Sequence, residues 1–364
     1  MSKGRVLMAM SGGIDSTVAA MLLIDQGYEL EGVTFRSWDQ VSQACMDKET
    51  GCCSVDSMFE AKAIADQFGF NHQILDIRKQ FESSVIENFV SEYLAGRTPN
   101  PCVVCNSDIK WGEIIKKADE LNCDMIATGH YAQIIEENDR LFIKKGKDST
   151  KDQSYFLWTL TQENLRRTMF PLGGYTKDEV RKIAFDKGFV KLSKKRESQE
   201  ICFIPDNDYR RFLRERVPDF ANRFGPGDFV DTSGKVLGKH KGYPNYTIGQ
   251  RKGLEIAVGH PLYVTKIVPR TNTVVLGTRD EVSSKVFYVE QSNLMRYKKI
   301  EDEIEVIAKI RYRNNGGPAR ISQDGDMLRV EYYNPVDSIT PGQSAVFYQD
   351  DYIIGGGVIN RVES

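Results

Sequence analysis

Val6-Leu7-Met8-Ala9-Met10-Ser11-Gly12-Gly13-Ile14-Asp15-Ser16-Thr17 decides how this chain is read. The stretch opens as a short apolar run and passes through two glycines into a periodic apolar segment at residues 18–23. That pattern predicts a strand, a tight turn and a helix. Gly12 and Gly13 lack a Cβ, so the backbone can turn sharply and approach a ligand closely. Ser11, Asp15 and Ser16 are good cap types. The first N–H groups of a helix have no partner inside it, and with the helix dipole they form an anion site. Hydroxyls of Ser11, Ser16 and Thr17 add donors for phosphate oxygens. The common ATPase loop ends in Gly-Lys-Ser/Thr and sends its lysine to the terminal phosphates. No lysine stands in this stretch; Asp15 stands beside the expected phosphates, which makes sense if a metal ion lies between. The plainer alternative is a strand-to-helix turn with ordinary caps.

The run Ser-Gly-Gly-x-Asp-Ser at residues 11–16 resembles the PP-loop of ATP pyrophosphatases. That resemblance implies scission of ATP between its α and β phosphates and adenylation of a carbonyl-type oxygen.

Downstream, strand-like segments at residues 30–35, 72–77 and 124–128 alternate with helical periodicity at 54–68, 81–94 and 109–121. Alternation of this kind predicts an α/β fold, a doubly wound parallel sheet with helices on both faces. Ligands of such sheets sit at the carboxyl ends of the strands. The first loop, Phe35 and Thr128-Gly129-His130 all fall there. Residues 36–53 are polar and long for a loop, so they read as an insertion or a mobile cover. Residues 143–152 read as a connection and 176–187 as an amphipathic helix. From about Gly225 the texture changes to short β-rich runs between Gly, Pro, Asn and Asp. Three domains are expected: a catalytic domain at 1–205, a small mostly β domain at 206–277, and a barrel-like domain at 278–364 with strands at 282–289, 304–311, 327–332, 345–348 and 356–360.

The chain has 364 residues, 49 Lys and Arg, 51 Asp and Glu, and a formal net charge of −2. The balance argues weakly against a nucleic-acid partner, although local patches can override the sum. Two candidates are Lys191-Leu192-Ser193-Lys194-Lys195-Arg196 and Arg311-Tyr312-Arg313, each of which alone reads as a solvated basic surface. No apolar run reaches the roughly 20 residues of a membrane span, and no signal peptide is evident, so a cytoplasmic protein without membrane contact is expected.

The seven cysteines are Cys45, Cys52, Cys53, Cys102, Cys105, Cys123 and Cys202. An odd count in such a chain points to metal or redox chemistry over a disulfide framework. Cys102-Val103-Val104-Cys105 follows Pro99-Asn100-Pro101, which makes a rigid presenting loop plausible; two buried thiols are the bland alternative. Basic residues precede Cys202, and positive charge lowers a thiol pKa, yet by itself Cys202 reads as a core cysteine. Cys123 reads as a small buried residue, and Cys45, Cys52 and Cys53 as lid or core residues whose spacing fits no zinc pattern.

Taken together, several runs occur in one order along most of the chain. They are residues 11–16, Thr98-Pro99-Asn100-Pro101 with Cys105-Asn106, Ala127-Thr128-Gly129-His130-Tyr131, Lys151-Asp152-Gln153-Ser154-Tyr155-Phe156, Ser198-Gln199-Glu200-Ile201-Cys202-Phe203, Gly242-Tyr243, Tyr246-Thr247-Ile248-Gly249-Gln250-Arg251-Lys252-Gly253 and Pro341-Gly342-Gln343. The set resembles the tRNA-specific 2-thiouridylase family. The resemblance implies sulfur transfer to the wobble uridine of tRNAs for Lys, Glu and Gln, with ATP and Mg²⁺. Adenylation makes the uracil C2 oxygen a leaving group. Cys202 would carry sulfur as a persulfide, supplied by a sulfur-relay protein or a cysteine desulfurase. Cys105 would attack the persulfide or pair with Cys202 in a transient disulfide. The family's ATP contacts fall on Ala9, Met10, Ser11, Gly12, Gly13, Ile14, Asp15, Ser16, Phe35 and Gly129. Its target-base contacts fall on Asn100, Pro101 and Cys102, and its tRNA contacts on His130, Asp152, Gln153, Ser154, Arg311, Tyr312 and Gln343.

One departure stands out. Many members carry Asp where this chain has Cys102, and that Asp is a candidate base. A thiol has the higher reference pKa. Either Cys102 acts as a thiolate base, or Cys102, Cys105 and Cys202 hold an iron–sulfur cluster. Two other readings stay open: a PP-loop ligase or amidotransferase acting on a small molecule, and a tRNA-binding sulfur carrier without adenylating activity. The first leaves Cys105, Cys202 and the β-rich third unexplained; the intact loop at 11–16 speaks against the second.

Overall fold

A computed structural model describes residues 2–38, 55–194 and 201–363. Cys45, Cys52 and Cys53, most of the 36–53 loop, Lys195, Arg196 and the Ser198-Gln199-Glu200 run lie outside the described residues. The chain divides into two units, Met1–Val85 with Cys102–Asn207 and Asp351–Ile354, and Ile86–Pro101 with Asp208–Asp350 and Gly355–Ser364.

The first unit is built on strands β1 (Arg5–Ala9), β2 (Glu29–Arg36), β3 (Asn71–Asp76) and β4 (Met125–Ala127), a hairpin of β5 (Ala132–Glu137) and β6 (Arg140–Lys145), and β7 (Thr168–Met169). The sheet order is β3-β2-β1-β4-β7, and every pairing in it is parallel. Val6, Leu7 and Met8 are fully buried, as expected of a central strand covered on both faces. The chain runs outward from β1 to β3 and then returns to the other side of β1, so the order reverses between β1 and β4. The crevice beyond the carboxyl ends of those two strands is where such sheets bind ligands. The helix Ile14–Asp25 covers the sheet through Val18, Ala19, Met21 and Leu23.

Three local differences from the sequence reading have physical causes. Residues 143–152 are a connection only in their second half, because β6 pairs with β5 around a turn at Asn138 and Asp139, both at positive φ. Asn-Asp is suited to that turn. The stretch before Cys102 is not helical, but Pro101 opens a helix at Pro101–Val104, where its missing N–H costs nothing. That helix continues without a break as a π-helix at Cys105–Trp111 and an α-helix at Gly112–Glu120, so it begins eight residues before the expected 109.

The second unit holds a four-stranded sheet of β8 (Gly227–Asp231), β9 (Val236–His240), β10 (Tyr263–Val268) and β11 (Thr273–Gly277), ordered β10-β11-β8-β9. Phe229, Tyr243, Tyr246, Val264, Val274 and Leu276 form its core. Six further strands, β12 (Ser283–Leu294), β13 (Ile304–Lys309), β14 (Gly317–Asp324), β15 (Met327–Asp337), β16 (Ser344–Gln349) and β17 (Tyr352–Val362), follow in the order β12-β15-β14-β13-β16-β17. Pairing of β12 with β17 closes them into a barrel. β14 is absent from the strands expected from the sequence; it carries Pro318, which is tolerated near the start of the strand. The helix Glu87–Leu94 also belongs to this unit, with Phe89 edge-on to Phe212 and Tyr93 stacked on Tyr209 at 4.4 Å.

Candidate active site around the phosphate loop

Residues 10–13 join β1 to the helix Ile14–Asp25. The N-cap is Gly13, with no side-chain cap bond, so the first-turn N–H groups keep their donor character. Ser16 Oγ donates to Gly13 O at 3.1 Å and accepts from Ser11 N at 3.2 Å, while Thr17 Oγ1 donates to Gly13 O at 2.9 Å. The hydroxyls of Ser16 and Thr17, expected as phosphate donors, are thus turned onto the loop's own backbone; Thr17 is fully buried. Gly12 sits at φ +66°, and a Cβ there would run into the Ser57 carbonyl. Gly129, after β4, packs so closely that its Cβ would meet Asp15 C and Ser16 N at 2.9 Å. Two contacts expected of a nucleotide site, Gly129 and the 15–16 backbone, are brought together by that approach. Phe35 lies at the end of β2, opposite Leu75, and Met10 N donates to Val33 O across the sheet.

Asp15 is not bare. Lys177 Nζ lies 2.8 Å from its Oδ1 and 2.9 Å from its Oδ2, and Tyr131 OH donates to Oδ1 at 2.7 Å. The lysine side chain is 5% exposed and the aspartate 32%. Lys177 opens the helix Lys177–Asp186, whose N-cap Thr176 forms a capping box with Glu179. Its backbone N–H donates to Asp148 Oδ2 at 2.9 Å. Sequence reasoning missed Lys177 because 162 residues separate it from Asp15. Tyr131 was present in the 127–131 run, without a role.

Cys102 is exposed, Cys105 half-buried and Cys202 exposed; with buried Cys123 they are thiols. Cys202 is therefore not the core cysteine its local sequence suggests. Its neighbours anchor the turn instead: Phe203 and Ile204 are buried, and Phe203 meets Phe81 edge-on at 5.8 Å. Cys102 and Cys105 are three apart on one helical segment, so they share a face. The π-helix starting at Cys105 is a common mark of functional helices. Next to it, buried Asn106 donates to Phe156 O at 3.0 Å, tying this segment to the 151–156 run. Among the described residues, no group of three or more His, Cys, Asp or Glu side chains is gathered as metal ligands.

The residues expected to touch RNA divide by environment. Asp152 and Ser154 are buried, and Ser154 Oγ donates to Asp152 Oδ2 at 2.8 Å. Asp152 Oδ1 also accepts from Gly146 N, and Gln153 Oε1 accepts from Tyr131 N. These side chains hold a turn. His130 is partly exposed by area but lies against the rings of Trp111 and Phe170, with Nδ1 2.7 Å from Thr128 Oγ1. Burial, then the charge of Lys110, holds its imidazole well below the usual pKa. In the second unit, Arg311 donates to Ser338 O and Tyr312 is 36% exposed. Gln343 Nε2 donates to Thr98 O at 3.0 Å and Pro99 O at 2.7 Å, and Thr98 N donates to Pro341 O. Gln343 is thus brought to the loop carrying Asn100 and Pro101, where Pro101 is buried and Asn100 half-buried.

Models described as a tRNA methyl transferase HUP domain, a tRNA methyl transferase PRC-barrel domain and an aminomethyltransferase beta-barrel domain match residues 4–206, 210–278 and 284–359. A protein of Amoebophilus asiaticus named tRNA-specific 2-thiouridylase MnmA is 54% identical over 99% of this chain and 96% of its own length. Its namesake in Cytophaga hutchinsonii is 51% identical over 98% of this chain and 97% of its own. Among solved structures, a 4-thiouridine synthetase–RNA complex with bound ATP is 20% identical, with a TM-score of 0.36 over 60% of this chain and 52% of that one. No helix of the described residues is long and apolar enough to cross a membrane. By relatives that match it from end to end, the chain belongs to the tRNA-specific 2-thiouridylase family.

Proposed function

We propose that this protein 2-thiolates the wobble uridine of tRNAs for Lys, Glu and Gln in the cytoplasm, with Mg²⁺·ATP as activating substrate. The observation that carries the reading is that one compact unit holds both a glycine-cradled phosphate loop and thiols from distant parts of the chain, Cys105 half-buried and Cys202 exposed. Ala9, Met10, residues 11–16, Phe35 and Gly129 bind ATP. Asp15 supplies the carboxylate for Mg²⁺, an ion that takes one or two protein carboxylates beside phosphate oxygens and neutralises their charge. Asn100, Pro101 and Cys102 meet the flipped base, and His130, the 152–154 turn, Arg311, Tyr312 and Gln343 bear on the tRNA. Residues 1–205, 206–277 and 278–364 act as catalytic, central and barrel modules.

The chemistry runs in two stages. The uracil C2 oxygen attacks the α phosphorus, pyrophosphate leaves, and C2 then carries AMP as a leaving group. The outer sulfur of a Cys202 persulfide attacks C2 and AMP departs. Cys105 thiolate then attacks the Cys202 sulfur, the S–S bond to the thiolated base breaks, and a Cys105–Cys202 disulfide remains. Alternatively, Cys105 attacks the persulfide first and frees sulfide, which displaces AMP. Either route ends in the same disulfide, which a dithiol reduces in a two-electron step. A sulfur-relay protein or cysteine desulfurase recharges Cys202.

The matched models carry methyl-transfer descriptions, but methyl transfer leaves the loop and the thiols without work. The test supplies ATP, tRNA and a persulfide donor and assays pyrophosphate and thiolated tRNA separately. tRNA-dependent release of pyrophosphate is expected, with thiolation nearly abolished in Cys105→Ser and Cys202→Ser while pyrophosphate release survives better. Pyrophosphate release without tRNA would favour a small-molecule ligase. Methylated tRNA from S-adenosylmethionine, or full thiolation by Cys202→Ser without added sulfide, would overturn the reading.

A further inference from the structure

A carboxylate in a phosphate loop poses an electrostatic problem. Asp15 stands at the start of the helix whose N-terminus is to receive a polyanion, and an uncompensated carboxylate there would repel it. The structure meets this with Lys177, whose ammonium contacts both carboxylate oxygens and is almost wholly covered. Burying an ion pair is weak evidence for a stability role, because an apolar pair of similar volume often serves as well. The pair also has a definite orientation. Tyr131 OH fixes Oδ1, and the Tyr131 ring lies 5.8 Å from Lys177 Nζ. Asp148 and the Thr176–Glu179 capping box hold the lysine backbone. The ammonium is the more deeply covered partner, so it backs a carboxylate that keeps accessible surface of its own.

We propose that Lys177 is a positioning residue of the nucleotide site: it cancels the charge of Asp15 and, with Tyr131, orients the carboxylate so that its accessible side faces the metal–phosphate group. The loop then meets ATP as a neutral cradle, and the divalent cation finds a preset ligand. This rests on the reading of residues 11–16 as an ATP site. The role differs from that of the lysine of the common ATPase loop, which reaches the phosphates itself.

The test is ATP binding by calorimetry on full-length wild type, Lys177→Met, Asp15→Asn and the double variant, each in EDTA and in Mg²⁺, with folding checked by thermal melting. Lys177→Met leaves Asp15 uncompensated, and its metal-free ATP affinity should fall at least about tenfold, a loss in the range of one close like-charge contact near a surface. Magnesium should shrink that loss, because the cation replaces the missing charge. The double variant has no charge to cancel, so its metal-free affinity should return to within about threefold of wild type. It also keeps the test usable if Lys177→Met fails to fold. Unchanged metal-free affinity in folded Lys177→Met would overturn the proposal. So would a loss that persists undiminished in the Asp15→Asn background, since that would place Lys177 on the phosphates. Absence of ATP binding by wild type in both conditions would instead remove the ATP reading itself.

Discussion

The phosphate loop of the first unit and the 98–101 loop of the second are both short, rich in Gly or Pro, and readable from the sequence. They differ in how they are supported. At residues 11–16 the backbone is closed in by backbone, with the Ser57 carbonyl against Gly12 and the Asp15–Ser16 peptide against Gly129. At 98–101 a side chain distant in sequence joins the backbone in the holding: Gln343 donates to Thr98 O and Pro99 O, beside the Thr98 N to Pro341 O bond. Gly342 closes in on the same place, since a Cβ there would meet Glu92 Oε2 at 2.7 Å and Thr98 O at 2.8 Å. Backbone packing tolerates no added atom, whereas a side-chain clasp can be opened by degrees. The difference teaches that the first loop is braced by its own hydroxyls and by backbone packing, whereas the second adds to such packing a side chain distant in sequence.

The largest effect that can break this comparison is expected at Gly12. Gly12→Val adds a branched side chain at φ +66° and drives it into Ser57. ATP affinity should fall at least about 100-fold, equivalent to roughly 2.7 kcal/mol. Gly27 provides the control, because it also has a positive φ, +89°, but nothing lies within 4 Å of an added Cβ. Gly27→Ala should cost about 1–2 kcal/mol of stability from backbone strain alone and leave nucleotide binding intact. Equal binding defects in the two variants would mean that close packing is not what shapes the loop.

Gln343→Ala is expected to have a smaller, two-part effect. Loss of two neutral hydrogen bonds should cost roughly 1–3 kcal/mol, seen as a lower Tm. It should also raise the KM for tRNA by loosening the 98–101 loop. If Gln343 serves only as an RNA contact, KM will rise while Tm stays at the wild-type value, so melting curves and steady-state kinetics together sharpen the assignment.

The mildest expected effect is on pH dependence, and it samples both units. His130 is held well below its ordinary pKa by burial and then by Lys110. His240 is lowered by burial, while its bond to Asn272 O opposes the shift. His240 Nδ1 accepts from Gly242 N at 3.0 Å and Nε2 lies 3.1 Å from Asn272 O, a pattern that suits a neutral ring protonated on Nε2. Below the unfolded imidazole pKa of about 6.5, the unfolded chain takes up protons that the folded one refuses. The stability from these groups is therefore present above that value and is lost as pH falls toward the folded pKa. Urea midpoints measured between pH 7.5 and 5.5 should decline, and less steeply in His130→Asn and His240→Gln. An unchanged slope in both variants would show that neither imidazole is held neutral.

Local pattern was enough for the parallel sheet, the strand–loop–helix unit at residues 5–25 and most of the barrel strands, because each depends on periodicity over a few residues. The same holds for Gly12 of the phosphate loop, whose position demands a missing Cβ, whereas Gly13 has ordinary extended backbone and only the Ser11 hydroxyl near it. Pattern did not reveal β14, where Pro318 masks a strand that barrel closure tolerates, or the π-helix at Cys105–Trp111, which extends an α-helix that periodicity starts too late. Cys202 read locally as a core residue, yet Phe203 and Ile204 occupy the core and leave its thiol exposed.

Residue types and their order along the chain were enough, without coordinates, to single out the glycine loop at residues 11–16 and the thiols proposed for sulfur chemistry. What required the tertiary structure was the company those groups keep. Lys177 meets Asp15 across 162 residues of sequence, and Gln343 meets Pro99 across 244. No local propensity encodes such pairs. They exist because the folded sheet and barrel bring distant backbone together, and their energies are electrostatic and hydrogen-bonding terms that depend on burial and distance.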